Sequence, residues 1–227
     1  TVYHKLTAGG NAYLCSSSST GGLFKDDIPP ATPGIVRVSV DTITGKTFIC
    51  WKAVNDKDVK GYTAIIDPAG SQSPTHDTAF VPNTCVTLAN SQPGLKSETY
   101  SVFAFDSCGN NGTYFSGGHT TMYLNAQIDY CQGKISLQWS AYAGWENGVS
   151  AYRVYVSING NPFAPLETVS STTGNFTHTG LTPFSSFRYY IKALKQGDES
   201  VISISNISNT LDYRSPNAPQ FMNISLV

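Results

Sequence analysis

Charge is scarce in this chain. Lys, Arg, Asp and Glu make up only 13% of its 227 residues, and the net charge is −1. No basic surplus exists to meet nucleic acid or an anionic membrane surface. Long apolar runs are missing too, so no segment has the ~18 residues a membrane-spanning helix needs. Histidine is sparse, and His4, His76, His119 and His178 never form a His-Glu-x-x-His pair. Gly-x-Ser-x-Gly elbows, phosphate-binding loops and dinucleotide fingerprints are also lacking. These absences leave no signature of an enzyme, and no cofactor is expected. The five cysteines include no Cys-x-x-Cys, so zinc is not expected. Asp56-Lys57-Asp58 is the nearest approach to a calcium loop. It lacks the ligand alternation and closing Glu of such loops, and reads as a solvated turn with no metal.

What the chain does have is a repeat. "TFICWKAVNDKDVKGYTAIID" (47–67) reads against "ISLQWSAYAGWENGVSAYRVYVS" (135–157). Trp51 falls on Trp139, and Val59 and Tyr62 fall on Val149 and Tyr152. Each copy holds an alternating strand ending in Trp, a polar loop, and a second strand opened by Val-x-x-Tyr. A repeat of about 90 residues made of strands and turns points to tandem β-sandwiches. Strands are expected near 34–41, 46–53, 60–67, 78–81, 84–89, 98–106 and 113–122 in the first copy. In the second they are expected near 123–131, 134–140, 150–158, 162–168, 174–179, 185–195 and 200–208. Asn-Gly pairs such as Asn159-Gly160 supply the turns.

The organisation follows: domain 1 over 29–122 and domain 2 over 123–212. "SPNAPQFMNISLV" (215–227) repeats "PPATPGIVRVSV" (29–40), so 213–227 reads as a linker and the first strand of a further domain. Residues 1–28 read either as an extension or as the last hairpin of a preceding sandwich. The expectation is a monomeric fragment of a longer chain. "TTMYLNAQ" joins the two copies without slack, which suggests a semi-rigid rod.

These residues resemble the fibronectin type III family. The carriers are Trp at the end of the second strand, an aromatic opening the third, and "GLTPFSSFRYYIKAL" (180–194). The resemblance implies an all-β fold of tandem fibronectin type III-like (immunoglobulin-like) β-sandwiches. It makes Trp51, Trp139, Tyr62 and Tyr152 core markers and Tyr100 a tyrosine-corner candidate. It sets Phe187 in the second domain's corner, without a hydroxyl to bond. "TGKTFICW", "DKDVKGY", "FAFDSCGNNG" and "WENGVSAYRVY" are also similar to tandem type III segments of Bacteroidetes surface and gliding-motility-associated proteins. That similarity implies a secreted or cell-surface location.

In such a chain the cysteines suggest disulfides. Cys108 and Cys131 either staple the two sandwiches together or remain thiols. Cys50 and Cys85 are the second candidate pair, set on strands that neighbour each other in this fold, and Cys15 could pair elsewhere. Trp145 and Tyr142 lie in the loop after Trp139. They form either an exposed aromatic platform for a sugar ring or protein partner, or a plug in which Trp145 folds back on the end of its own sandwich or on the domain junction. Asn111, Asn175, Asn206 and Asn223 open Asn-x-Ser/Thr triplets. Thr42 and Thr78 fit the Asp-Ser/Thr-aliphatic O-glycosylation pattern of the bacteria named. The sequence therefore reads as a non-catalytic adhesion or spacer module. The alternative is a carbohydrate-binding module acting through Trp145 and Tyr142. A eukaryotic receptor ectodomain is disfavoured because "WSAYAGW" does not fit Trp-Ser-x-Trp-Ser. The partner is an unknown protein or surface glycan, with no nucleic acid and no membrane insertion.

Overall fold

Alternating apolar residues become strands throughout, and no helix forms among the described residues. The computed structural model describes residues 3–8, 11–16, 26–66, 76–80, 82–113 and 118–214, and for 3–16 and 76–80 it describes backbone only. The strands are β1 (Tyr3–Ala8), β2 (Asn11–Ser16), β3 (Ile35–Val40), β4 (Thr47–Trp51), β5 (Val59–Ile66), β6 (His76–Phe80), β7 (Cys85–Leu88), β8 (Thr99–Asp106) and β9 (His119–Thr120). They continue with β10 (Leu124–Asp129), β11 (Lys134–Trp139), β12 (Val149–Ile158), β13 (Ala164–Ser170), β14 (Asn175–His178), β15 (Ser185–Lys195), β16 (Asp198–Ile204) and β17 (Leu211–Tyr213). β1 and β2 form an N-terminal hairpin. The first sandwich packs the sheet β3-β4-β7 against β6-β5-β8-β9. The second packs β10-β11-β14 against β13-β12-β15-β16, with β17 also paired to β15. Three strands facing four or five, all antiparallel, are the fibronectin type III arrangement. The expected third copy at 215–227 lies outside the described residues, as do the side chains of Cys15 and Thr78.

The repeat survives at atomic detail. Trp51 packs against Tyr62 with ring centroids 5.3 Å apart, and Trp139 against Tyr152 at 5.8 Å. Each tyrosine then fastens the loop that precedes its strand. The Tyr62 hydroxyl accepts the Val54 N–H at 3.1 Å, and the Tyr152 hydroxyl accepts the Tyr142 N–H at 3.2 Å. A buried phenol must find a partner, and a loop N–H must be satisfied, so one bond serves both needs.

The corner differs from the expectation. Tyr62 pairs with Ala104 and Tyr152 with Ala193, so the residue matching Tyr100 is Tyr189, not Phe187. Tyr189 is fully buried and its hydroxyl meets His178 Nδ1 at 2.8 Å. The second sandwich therefore keeps its phenol, bonded across to β14. In the first, Tyr100 bonds Thr47 Oγ1 at 2.7 Å and the Glu98 carboxylate, which also accepts the Gln92 N–H. Burial, then the Glu98 hydrogen bond, push the Tyr100 phenol well above its ordinary pKa.

Two strands are shorter than expected. Only His119 and Thr120 of 113–122 are strand among the described residues, because Thr121 turns to exchange hydrogen bonds with Glu98. The strand expected at 200–208 breaks after Ile204. There Ser205 and Ser208 each donate a backbone N–H to β15 and accept another on Oγ. Between them Asn206 turns inward. Its Oδ1 accepts the Leu124 N–H at 2.7 Å and its Nδ2 donates to the Leu124 carbonyl at 3.0 Å.

Cys50 and Cys85 face each other across β4 and β7 and are disulfide-bonded. The Cys108–Cys131 staple is not formed, and both side chains are exposed. β8 runs from the junction at Thr99 to Asp106, just before Cys108. β10 runs from the linker at Leu124 to Asp129, just before Cys131. At ~3.3 Å per residue Cys108 lies about 30 Å along the chain from Thr99, and Cys131 about 23 Å from Leu124, both carried away from the junction. A disulfide needs Cα atoms within about 7 Å. Replacing both Cys50 and Cys85 by Ala opens a loop spanning 35 residues of sequence separation. The expected loss is about 3–4 kcal/mol of unfolding free energy on the chain-entropy account, read by chemical denaturation of variant and parent.

Candidate functional site

Among the described residues β3 pairs with β4 on one side only, so its outer edge carries N–H and C=O groups with no described strand to meet them. Such an edge invites pairing with other chains unless it is covered. The second sandwich covers it with side chains. Tyr142 Oη accepts the Val38 N–H at 3.2 Å, and Trp145 Nε1 donates to the Val36 carbonyl at 2.8 Å. Further along, Ser39 Oγ on β3 accepts the Ile204 N–H at 3.0 Å. Outward peptide groups recur every second residue along a strand. Tyr142 and Trp145 sit three apart in a loop and match that spacing, so the loop substitutes for a neighbouring strand.

The loop is held in shape from inside the second sandwich. Tyr152 fixes the Tyr142 N–H, and Gly148, at φ 72°, donates to the Trp145 carbonyl at 2.9 Å. The Tyr142 and Trp145 rings pack at 3.9 Å between centroids. Both are buried, at 6% and 7% exposure. Of the two alternatives, the rings take the place of a plug at the domain junction and not of an exposed platform: the strand edge of the first sandwich occupies them. A sugar has no ring face to stack on there, which removes the geometry of the carbohydrate-binding alternative.

His119 completes the contact. Its Nδ1 lies 2.7 Å from Tyr142 Oη, and the two rings meet edge to face. Among the described contacts His119 Nδ1 is the acceptor within reach of the Tyr142 hydroxyl hydrogen, so we assign that hydrogen to Nδ1 and the ring proton to Nε2. Burial, then the positive charge of Lys195, lower the His119 pKa to about 4. Burial likewise raises the Tyr142 phenol. Beside them Thr120 donates its N–H to the Ala143 carbonyl at 3.0 Å. Gly144 lies flat on the His119 ring at φ 115°, where any Cβ would overlap the imidazole. An open cleft of about 300 Å³, lined by Pro33, Ile35, Val102, His119 and Gly144, leads to the ring.

The linker is as constrained as the loop. Thr121 bonds Glu98 through both its N–H and its hydroxyl. Met122 is fully buried, and Tyr123 exchanges bonds with Ser140. The apolar core runs unbroken from one sandwich to the other through Met122, Tyr142 and Trp145.

Sequence reasoning singled out Tyr142 and Trp145 but missed His119, Gly144 and the β3 edge. Thr42 is exposed in the β3–β4 turn, which Asp41 holds by accepting the Ile43 N–H and the Thr44 hydroxyl. Asp56 accepts the Ala31 N–H at 2.8 Å, while Asp58 turns toward Asp26 and Asp106, with carboxylate oxygens within 4.8 Å of one another. Asp106 accepts from Cys108, from the Asn110 N–H and from the Asn110 amide, and so closes its own turn. Burial, then contact with Asp26 and the charge of Asp106, raise the Asp58 pKa.

The sequence matches no protein-family model and no curated protein. Among solved structures, the FN1–FN3 domains of chicken CNTN1 align at 16% identity and TM-score 0.35, over 85% of this chain and 70% of that one. A two-domain fibronectin type III segment of chicken tenascin aligns at 16% and 0.31, over 80% and 99%. The pectate lyase Pel3 of Pectobacterium carotovorum aligns at 18% and 0.34, over 47% of this chain and 29% of that one. Scores this low add no argument to the strand topology traced above.

Gly144→Ala is the sharpest local probe of the junction. The added methyl must displace His119 or the loop, while each sandwich core stays intact. The expected result is faster proteolytic cleavage in Thr121–Tyr123 with near-parental far-ultraviolet circular dichroism. Parental resistance to cleavage would show that the contact is not needed to hold the linker.

Proposed function

We propose that this chain is a non-catalytic spacer and adhesion module of a secreted or cell-surface protein, which holds the parts on either side of it at a fixed separation and angle. The observation that carries the reading is the clamp of Tyr142 and Trp145 on the β3 edge, backed by a linker bonded on both sides. Flexible joints between sandwiches need none of these contacts. The Cys50–Cys85 disulfide supports a location outside the reducing cytosol. The surface role suggested by the bacterial motif similarity belongs to the same proposal. His119 and His178 each direct Nδ1 to a buried tyrosine, which supports a non-catalytic reading. Adhesion would use exposed loops and strand edges toward a protein or surface glycan, with weak contacts multiplied by repetition.

The test is whether the two sandwiches tumble as one body. In ¹⁵N relaxation at pH 7.5, residues of β4–β8 and of β11–β15 are expected to share one rotational correlation time. Trp145→Ala should split it into two shorter values. Separate tumbling in the parent chain would rule out the rigid spacer.

A further inference from the structure

We infer that His119 is an acid-operated latch: protonation of its ring releases the Tyr142–Trp145 loop from β3 and lets the two sandwiches pivot about Thr121–Tyr123. The inference rests on the rigid-spacer reading and adds the condition under which rigidity is given up.

The geometry makes the latch. Neutral His119 accepts from Tyr142, and Tyr142 accepts from Val38, so hydrogen bonds run in one direction from the β3 edge to the imidazole. A protonated ring carries hydrogen on both nitrogens. Its Nδ1–H then faces the Tyr142 oxygen, and the Tyr142 hydrogen loses its acceptor in a buried site. An unmade buried hydrogen bond is costly, and the imidazolium gains no compensating carboxylate. The groups that face it oppose a positive charge or are already engaged. Lys195, at the end of β15, acts on His119 directly, and Arg37 on β3 acts on Tyr142. Tyr100, paired with His119 across β8 and β9, bonds Glu98, and that carboxylate also holds the Gln92 N–H. Glu146, next to Trp145, is exposed to solvent. Gly144 packs on the ring and leaves it 7% exposed, so the charged ring gains its full hydration when the loop opens. The cleft beside Pro33 and Val102 gives the proton a path from solvent.

The sign follows from linkage. In the closed junction the ring titrates at about 4, against an ordinary value of 6.5 for an exposed histidine. The open form therefore binds more protons between these values, and closure weakens as pH falls through that window. Above 6.5 proton binding no longer weakens closure. Over the whole window the open-to-closed ratio rises by on the order of 10²-fold.

The experiment is an NMR titration of the full 227-residue chain from pH 7.5 to 4, with small-angle scattering on the same samples. His119 is expected to titrate below 5.5, together with the Val38 and Trp145 indole N–H signals, while the radius of gyration grows reversibly. Core signals such as Tyr62 and Ala193 should hold. His178, half-buried on β14 of the second sandwich, also has a pKa lowered by burial, and its titration should leave the Val38 signal unmoved. His119→Gln keeps a polar side chain without a titrating ring and should abolish the change in radius. If that variant does not fold, the parent titration still decides. A Val38 signal and radius that stay constant to pH 4 while the chain stays folded would overturn the latch and leave the spacer intact. Two independently moving sandwiches already at pH 7.5 would overturn both.

Discussion

One phenol organises the relation between the two sandwiches. Tyr142 offers its N–H to Tyr152 in the core of the second domain and its oxygen to the Val38 N–H of the first. Its hydroxyl also reaches His119, at the end of the first domain. The pair Trp139–Tyr152 fixes where the loop begins, and the loop fixes where β3 must lie. Domain packing is thus an extension of core packing by a single residue. A substitution in the second core would reach the first domain by the same route.

The same device serves a smaller purpose in the first copy. Tyr62 holds Val54 in a loop of largely exposed residues. Counted from the matched Trp, the second loop has Tyr142, Gly144 and Trp145 where the first has Val54, Asp56 and Lys57, while the fastening bond is the same. The contact between domains could therefore arise by changing side chains on a loop whose backbone was already held. Rigidity here needed no larger core, only acceptors and donors placed at the period of an exposed strand.

Much of this was legible in the sequence. The repeat pointed to the fold, the two Trp–Tyr pairs marked both cores, and Cys50 and Cys85 were placed on adjacent strands by the family resemblance once alternation had located the strands. The rest depended on partners far along the chain. Trp145 bonds Val36, 109 positions away, and no local pattern distinguishes an aromatic that meets a strand edge from one that meets a sugar. The comparison of copies held a usable signal, since a polar loop in one copy and an aromatic loop in the other implies that the second has something to cover. Phe187 was misread as the corner because the spacing from Leu181 and Pro183 matched the family pattern. The strand register, which places Tyr189 opposite the right neighbours, appears only in the paired sheet. Ser205 and Ser208 look like strand residues by alternation. Their hydroxyls instead replace ladder bonds, a use that leaves no periodic trace.

Asn206 has a consequence for how such a chain can be made. Asn206-Ile207-Ser208 satisfies the acceptor triplet for N-linked sugars. The nitrogen that would carry the glycan is the one that donates to the Leu124 carbonyl at the entrance of β10, and Asn206 and Ser208 are both buried. A sugar there and this junction exclude each other. Oligosaccharide is transferred before a domain closes, so a secretory host that reads the triplet would mark the chain at a position the folded protein must hide.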